Sequence, residues 1–450
     1  MAYPDARGNP CSSASAAARD AAELALWRLM SFYDTPLADL DAASAADPGW
    51  ALPHIMRGGF LLSLTEPAWV AQAQGHLELA RALLPHATAR EKAHFEATEH
   101  VQQGRWQQAC RTWEALLVQH PRDALALQWA QLWDFYRGDT LALRQRPAQT
   151  LPEWDEADPL FPYVLALYAF GLEENNVHAQ AEEAGRRALA INPRVPWAVH
   201  AVAHVMEMQG RFEDGAAWLR QQQSHWAEGN GFACHLWWHK SLFRLEALDL
   251  AGALRLHDSH LMGDTLQVTL NRVDAASILW RLHLLGEDVA SRCAALVKGW
   301  HPGDEDAGHY AFNDLHWVLA LLGAGEVARA EAWLARCAER ALLPSDASRS
   351  NHAMAREVGL PLMRGLLALA HGNADGAVDL IAPVRNHAAR LGGSHAQRDL
   401  IDQTLLHAAA LGGRRSLGRA LLNERSMAKA LTPLTRHWAE RLSLPTEVRA

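Results

Sequence analysis

Residues 90–121 read REKAHFEATEHVQQGRWQQACRTWEALLVQHP, and this stretch decides the fold class. Two segments with helical apolar spacing flank a Gly104-Arg105 turn, and Trp106, Ala109, Trp113 and Leu116 then follow in register until Pro121. The small residue lets the two helices of a pair approach, and the proline ends the second helix because it lacks an N–H and clashes with the preceding turn. The same offsets recur after Asn175-Asn176, with Ala181, Gly185, Ala188, Ile191, Asn192 and Pro193. They recur again after Gly210-Arg211, with Phe212, Gly215 and Leu219 but no proline.

A period of about 34 residues built from helix, turn and helix resembles the tetratricopeptide repeat. Weaker copies have turns near Leu248-Asp249, Gly286-Glu287, Gly325-Glu326, Gly372-Asn373 and Gly412-Gly413, each followed by Ala, Ser or Gly. No stretch shows sustained two-residue alternation of β-branched residues, so the expected class is all-α. The expected architecture is an irregular tetratricopeptide-like α-solenoid of about eight helix pairs, curled around a central pocket. The pocket is expected because unequal units and long connectors, such as residues 146–159, 298–308 and 343–350, can close a groove that uniform repeats leave open. Residues 1–20 are read as a flexible N-terminus and residues 21–450 as a single continuous repeat domain.

Composition narrows the function classes. The net charge of −9, with no basic stripe, argues against nucleic acid or an anionic membrane as partner. No apolar run approaches the roughly 20 residues a spanning helix needs, and residues 1–20 lack the charged-then-apolar order of a secretory signal. Cys11, Cys110, Cys234, Cys293 and Cys337 are scattered, odd in number and without a CxxC, which favours a reducing compartment. The expected location is the cytoplasm. Phosphate-binding loops, GxGxxG, GxSxG and HExxH are all absent from the sequence, so no cofactor is predicted, although a divalent metal stays open.

Two histidine pairs carry the functional signal: His200 and His204 in WAVHAVAHVMEMQGR, and His235 and His239 in HLWWHKSLFRLE. Each pair is spaced i, i+4 and so shares one helix face, which Glu207 joins at i+7 from His200. Counted from the neighbouring turns, both pairs fall on the first helix of a repeat, as does His316 in YAFNDLHWVLAL. His76, His86, His120, His178, His371 and His437 need no more than a structural role, and Trp106, Trp113 and Trp218 sit at packing positions. Trp237 and Trp238 lie between two histidines, and one of them must share their face. Tryptophan, histidine and carboxylate on one wall suit a small-molecule pocket.

The words WAVHAVAHVMEMQGR, HLWWHKSLFRLE, DAASILWRLHLLG, FNDLHWVLAL and GGSHAQRDL, in this order from about Leu24 onward, resemble the tetratricopeptide repeat protein 38 family. That resemblance implies a helical-repeat fold and no reaction. It marks as positions to watch His200, His204 and Glu207; His235 and His239; Asp274 and Arg281; Asn313, Asp314 and His316; and His395, Gln397, Arg398 and Asp399.

Three chemistries remain open on the sequence. In the first, His200, His204, Glu207, His235, His239 and His316 form an acid/base set in an enzyme for epimerisation, elimination or hydrolysis, since neighbouring imidazoles can hold opposite protonation states at neutral pH. Trp238, Arg281, Asn313, Asp314, His395, Arg398 and Asp399 would bind the substrate, with Arg281 or Arg398 gripping a carboxylate. In the second, His200, His204, His235 and His239 hold a divalent metal. In the third, the groove grips a peptide or partner protein, the usual work of helical repeats. The segment LTPLTRHWAERLSL caps the array or forms a homodimer.

Overall fold

A computed structural model describes residues 2–443 of the chain. Residues 444–450, the end of the repeat domain read from the sequence, lie outside the described residues. The described chain is all-helical apart from a two-residue ladder, Tyr3–Pro4 with Pro10–Cys11, and one isolated bridge between Tyr33 and Asn230. None of its helices is long and apolar enough to cross a membrane.

The turns read from the sequence are where the chain reverses. Gly104, Asn176, Gly210, Leu248, Gly286, Gly325, Gly372 and Gly413 all take left-handed backbone, with φ from 57° to 98°. A left-handed residue after a helix satisfies its last carbonyls and redirects the chain, and glycine does this without steric cost. Gly138, with φ 71°, makes the same reversal between Ala124–Tyr136 and Thr140–Thr150, at a position the sequence reading passed over.

Contacts divide the chain into two compact units: Met1–Val202 with Gln223–Ala233 and Ser348–Ser350, and Ala203–Gln222 with Cys234–Ala347 and Asn351–Ala450. The sequence reading took 21–450 as a single continuous repeat domain, and the two units together cover that range. A solenoid unit touches only its neighbours in sequence. Segment 223–233 instead docks on the end of the distant helix Ala16–Ser31, where Tyr33 Oη donates to the His225 carbonyl, Asn230 Nδ2 donates to Ser31 O at 3.1 Å, and Gly231 N donates to Phe32 O at 2.8 Å.

In the first unit, successive helices pack as pairs: Ala89–Gln102 on Trp106–Gln119, and Phe161–Glu173 on His178–Ile191. The first helix of the latter pair is buried at every position but Tyr168, whereas the second buries one face, at Ala181, Ala184, Gly185 and Ala188. An element apolar all round must be enclosed, and an amphipathic one covers it. Within residues 1–20, read from the sequence as a flexible N-terminus, several side chains make specific contacts. Arg7 pairs with Glu23, Ser12 N donates to Glu91 Oε1 at 3.0 Å, Ser13 Oγ donates to Asp47, and Cys11 is buried.

The second unit repeats the arrangement with Thr269–Leu284 and Ala290–Gly299, Ala311–Gly323 and Val327–Ala341, Leu360–Ala370 and Ala374–Ile381, and His395–Leu411 and Arg415–Ala428, followed by Pro433–Ser443. Thr269–Leu284 packs against Ala290–Gly299, Ala311–Gly323 and His395–Leu411, so its side chains meet three sets of neighbours. A capping box of Ser394 and Gln397 starts the helix His395–Leu411, which gives Gln397 a structural task.

Candidate functional site

Helix Ala233–Glu246 brings His235, Trp238 and His239 onto one face. The ring centroids of His235 and His239 are 4.8 Å apart and nearly perpendicular, those of His204 and His239 are 4.5 Å apart, and Trp238 stacks on His235 at 5.0 Å. Trp237 turns the other way and stacks on His260. The sequence requirement that one tryptophan share the histidine face is thus met by Trp238.

Each histidine of the second pair is backed by a carboxylate. Nδ1 of His235 lies 2.8 Å from Asp274 Oδ2, and Nδ1 of His239 lies 3.2 Å from Glu207 Oε2. Burial pushes the Glu207 carboxyl up to about 7, against the pull of Lys429 and His204. Burial also holds His239 well below the usual imidazole range, helped by His204, His235 and Arg281. Both groups therefore resist charge, and near neutral pH the pair loses one proton as Glu207 ionises while His239 stays neutral.

Helix Thr269–Leu284 supplies Asp274, Ser277 and Arg281 at i, i+3 and i+7, one continuous stripe. Asp274 orients His235, Ser277 Oγ accepts from Trp238 Nε1 at 2.7 Å, and the Arg281 guanidinium sits 5.6 Å from the Trp238 ring centroid. Arg281 is fully buried, and its terminal nitrogens donate to the carbonyls of Ser277, Ala396 and Gln397 at 3.1, 2.8 and 3.3 Å. No carboxylate of the described residues is within ion-pair distance, and its buried Nε–H has no hydrogen-bond partner among them. Desolvation consequently draws its pKa down to about 10 despite the more distant Asp399 and Glu207.

His316 has a fixed tautomer. Its Nδ1 lies 2.7 Å from Phe312 O, a group that can only accept, so Nδ1 carries the hydrogen and Nε2 the lone pair. Burial, helped by Arg281 and opposed by the bond to Phe312 O, lowers this imidazole to about 4, so the ring is neutral at physiological pH.

No protein-family model matches this chain. The site is therefore argued from its chemistry alone. Residues His204, Glu207, His235, His239, Asp274, Arg281 and His316 all belong to the second unit. His200 lies one turn before His204 on the same helix but on the first unit's part of it, where its ring packs against Phe170, Trp197 and Phe232 at 5.4, 4.7 and 5.0 Å.

Other expected site residues are placed elsewhere. Asp314 accepts from Trp333 Nε1 at 3.0 Å and from Gly308 N at 3.1 Å, so it faces the helix Val327–Ala341 and not His316. Asn313 is half-buried on the same helix. Arg398 donates to the Gly393 carbonyl and lies 3.2 Å from His395 Nδ1, at the start of its own helix. Asp399 is committed to Arg425 and to Gln403 Nε2 at 2.7 Å.

Asp399 opens onto a network that sequence reasoning missed. Arg425 also reaches Glu246 at 3.1 Å, and Glu246 accepts from Lys429 and from Thr432 Oγ1 at 2.6 Å. All of Glu246, Arg425, Lys429 and Thr432 are buried. Burial would raise Asp399 and Glu246, but Arg425 and Lys429 carry both below the usual carboxylate range. Glu246 at i+7 from His239, and Arg425 with Lys429 at i, i+4, were the available signals.

The ring nitrogens of His204, His235 and His239 lie close enough to hold a metal ion, with ligand atoms within 4.8 Å of one another. Carboxylates on Nδ1 of two of them are the usual supports of histidine ligands and of histidine bases alike.

Proposed function

We propose that this protein is a cytoplasmic enzyme of tetratricopeptide repeat protein 38-like architecture that performs acid/base chemistry on a small polar substrate bearing a carboxylate. One observation carries the reading: two histidine–carboxylate dyads with rings in contact stand beside a buried arginine that has no carboxylate of its own. A desolvated guanidinium is costly to keep, and an anionic ligand group would relieve it. Convergent titratable groups pushed away from their ordinary ranges raise the prior for function.

In this reading Arg281 receives the substrate carboxylate on its Nε–H, and Trp238 forms an apolar wall. His316, locked with its lone pair on Nε2, serves as a base. The His239–Glu207 pair supplies or stores the second proton, and Asp274 holds the His235 ring in place. One group removes a proton while another gives one, which fits epimerisation, elimination or hydrolysis. Asn313, His395 and Arg398 stay as proposed outer contacts on their sequence positions, and His200 as a proposed extension of the histidine face.

The test is a thermal-shift panel of small mono- and dicarboxylates on wild type, Arg281→Lys and His239→Ala. A ligand present at 100 times its Kd adds about 2.7 kcal/mol to stability, a shift that is easily read. Stabilisation by carboxylates that both variants lose supports the reading. A panel with no carboxylate-dependent shift, together with stabilisation by extended peptides, would replace it with the scaffold reading.

The spacing of ligand atoms among His204, His235 and His239 favours a second reading, a divalent-metal enzyme. Elemental analysis of untagged protein purified without chelator decides between the two. Stoichiometric metal that disappears in His204→Ala/His239→Ala moves the metal reading to first place.

A further inference from the structure

His54 and His76 meet across the helices Leu52–Ser63 and Val70–Leu83 of the first unit. Their Nδ1 atoms are 3.4 Å apart, and their ring centroids are 5.7 Å apart at an interplanar angle of 23°. The two helices pack directly on one another, and Gly58 sets how closely: a Cβ there would stand 3.2 Å from Leu77 Cδ2, one residue past His76. Both histidines are half-buried, so solvent reaches the pair. Neither belongs to the histidine cluster of the second unit.

The spacing of the two nitrogens is informative. A hydrogen bond between imidazoles needs one N–H and one lone pair, and N–H donors in proteins sit at about 2.7–3.2 Å from their acceptors, closer than this pair. Two imidazole nitrogens at about 2.0–2.1 Å from one tetrahedral Zn²⁺ stand about 3.3–3.4 Å from each other. Neighbouring ligands at right angles on a square-planar or octahedral ion would be only about 2.9 Å apart. The observed 3.4 Å is thus the tetrahedral edge. The ring centroids are about half an ångström wider than such an ion would hold them, a difference that a small χ2 rotation of half-exposed rings removes.

Charge around the pair permits a cation. Arg57, one turn on from His54, would repel it, but Arg57 is paired with the exposed Asp41, which cancels most of that field. Burial, then Arg57, holds both imidazoles below their ordinary range, and His54 adds to the effect on His76 while Asp41 opposes it. Neutral rings are the form that ligates metal. We propose that His54 and His76 bind one Zn²⁺ ion through their Nδ1 atoms in tetrahedral geometry, with water in the two remaining positions. The ion clips Leu52–Ser63 to Val70–Leu83. Its two water positions distinguish it from a closed structural site and leave it open to an outside ligand.

The test titrates the full-length protein with Zn²⁺ and reads amide hydrogen exchange by mass spectrometry, which localises binding to a helix and so separates this pair from the histidines of the second unit. Zn²⁺ should slow exchange saturably in residues 52–63 and 70–83. His54→Ala and His76→Ala should each raise the Zn²⁺ concentration for half-protection roughly tenfold or more, because one imidazole alone loses the advantage of two ligands fixed together. Circular dichroism checks the fold of both variants, and the position of the protection in wild type carries the result if either does not fold. Co²⁺ in place of Zn²⁺ should give wild type, relative to His76→Ala, the intense visible bands of a four-coordinate ion. The proposal is overturned by unchanged exchange in both helices up to the highest Zn²⁺ the protein tolerates in solution. It is equally overturned by protection at the same concentration in the variants, or by a Co²⁺ difference spectrum with only the weak bands of a six-coordinate ion.

Discussion

Glu207 Oε2 lies 3.2 Å from Nδ1 of His239, and both side chains are buried. The proton between them has two homes. When Glu207 is protonated, its O–H donates to Nδ1 and His239 carries its other hydrogen on Nε2. When Glu207 is ionised, Nδ1–H donates to the carboxylate and Nε2 holds the lone pair. A carboxyl raised to about 7 therefore switches His239 between hydrogen-bond donor and acceptor near neutral pH.

Glu207→Gln tests that titration through stability. The folded-state pKa is raised from 4.5 to about 7, so folded protein holds a proton through this interval that unfolded protein has released. Stability falls as pH rises across it, because the unfolded state binds fewer protons. Gln copies the protonated acid and does not titrate. Urea unfolding should show wild type losing ground to Glu207→Gln between pH 5 and pH 8, by on the order of 3 kcal/mol at most. His239, held low by burial, changes stability in the opposite sense below its ordinary range, but it is present in both proteins. The same gap at both pH values would remove the raised carboxyl.

Arg425 joins Asp399 and Glu246, and removing it leaves a half-buried and a buried carboxylate, of which only Glu246 keeps a cation in contact, Lys429. Breaking a buried ion network from one side is costlier than never building it. Arg425→Met should cost roughly 3–5 kcal/mol, and Arg425→Met/Asp399→Asn should recover part of the loss. A double variant no more stable than Arg425→Met would show that the carboxylate is not the source of the penalty.

The reversals of the chain were legible because they depend on one residue each: Gly104, Gly210 and Gly372 declare a left-handed turn wherever they fall between helical patterns. Leu248 was found only through its place in the period, since nothing about leucine suggests φ 57°. His204, His235 and His239 were legible because i, i+4 spacing fixes their face. Their carboxylates were harder to assign: Glu207 faces His239 on another helix, while its neighbour in the pattern, His204, is on its own. The Glu246–Arg425–Lys429 network joins positions 179 and 183 residues apart, and pairings of that range leave no periodic trace. The division into two units was hidden for the same reason, since a connector that docks on a distant helix has no spacing to betray it.

Arg281 and Arg398 were equal candidates on sequence for holding a carboxylate, and their surroundings separate them. Arg281 is buried, stacked near Trp238 and without an ion-pair partner among the described residues, whereas Arg398 is half-buried and bonded to Gly393 O. Arg281→Lys should weaken binding of a stabilising carboxylate by roughly tenfold or more, because a lysine keeps charge but loses both the Nε–H and the carbonyl bonds that hold it in place. Arg398→Ala should change the same affinity by no more than about twofold. Isothermal titration of both variants checks the assignment, and the reverse order of effects would transfer the role to Arg398.

The contacts made by the N-terminal segment can be tested directly. Arg7 and Ser13 are buried, Asp5 lies 3.6 Å from Arg90, Arg122 Nη2 donates to Arg7 O at 2.7 Å, and Ser12 N shares Glu91 with Trp50 Nε1. Deleting residues 2–14 would leave Arg90 and Glu91, both otherwise buried, to face water with fewer partners. The expected loss is about 2–3 kcal/mol, which for a unit of this size is a fall in Tm of roughly 5–10 °C. Fluorescence of Trp50, whose indole N–H donates to Glu91 at 2.6 Å, should report the change before the protein melts. A truncated protein with the Tm and emission of the full chain would restore the flexible reading, because a segment that packs cannot be removed without cost.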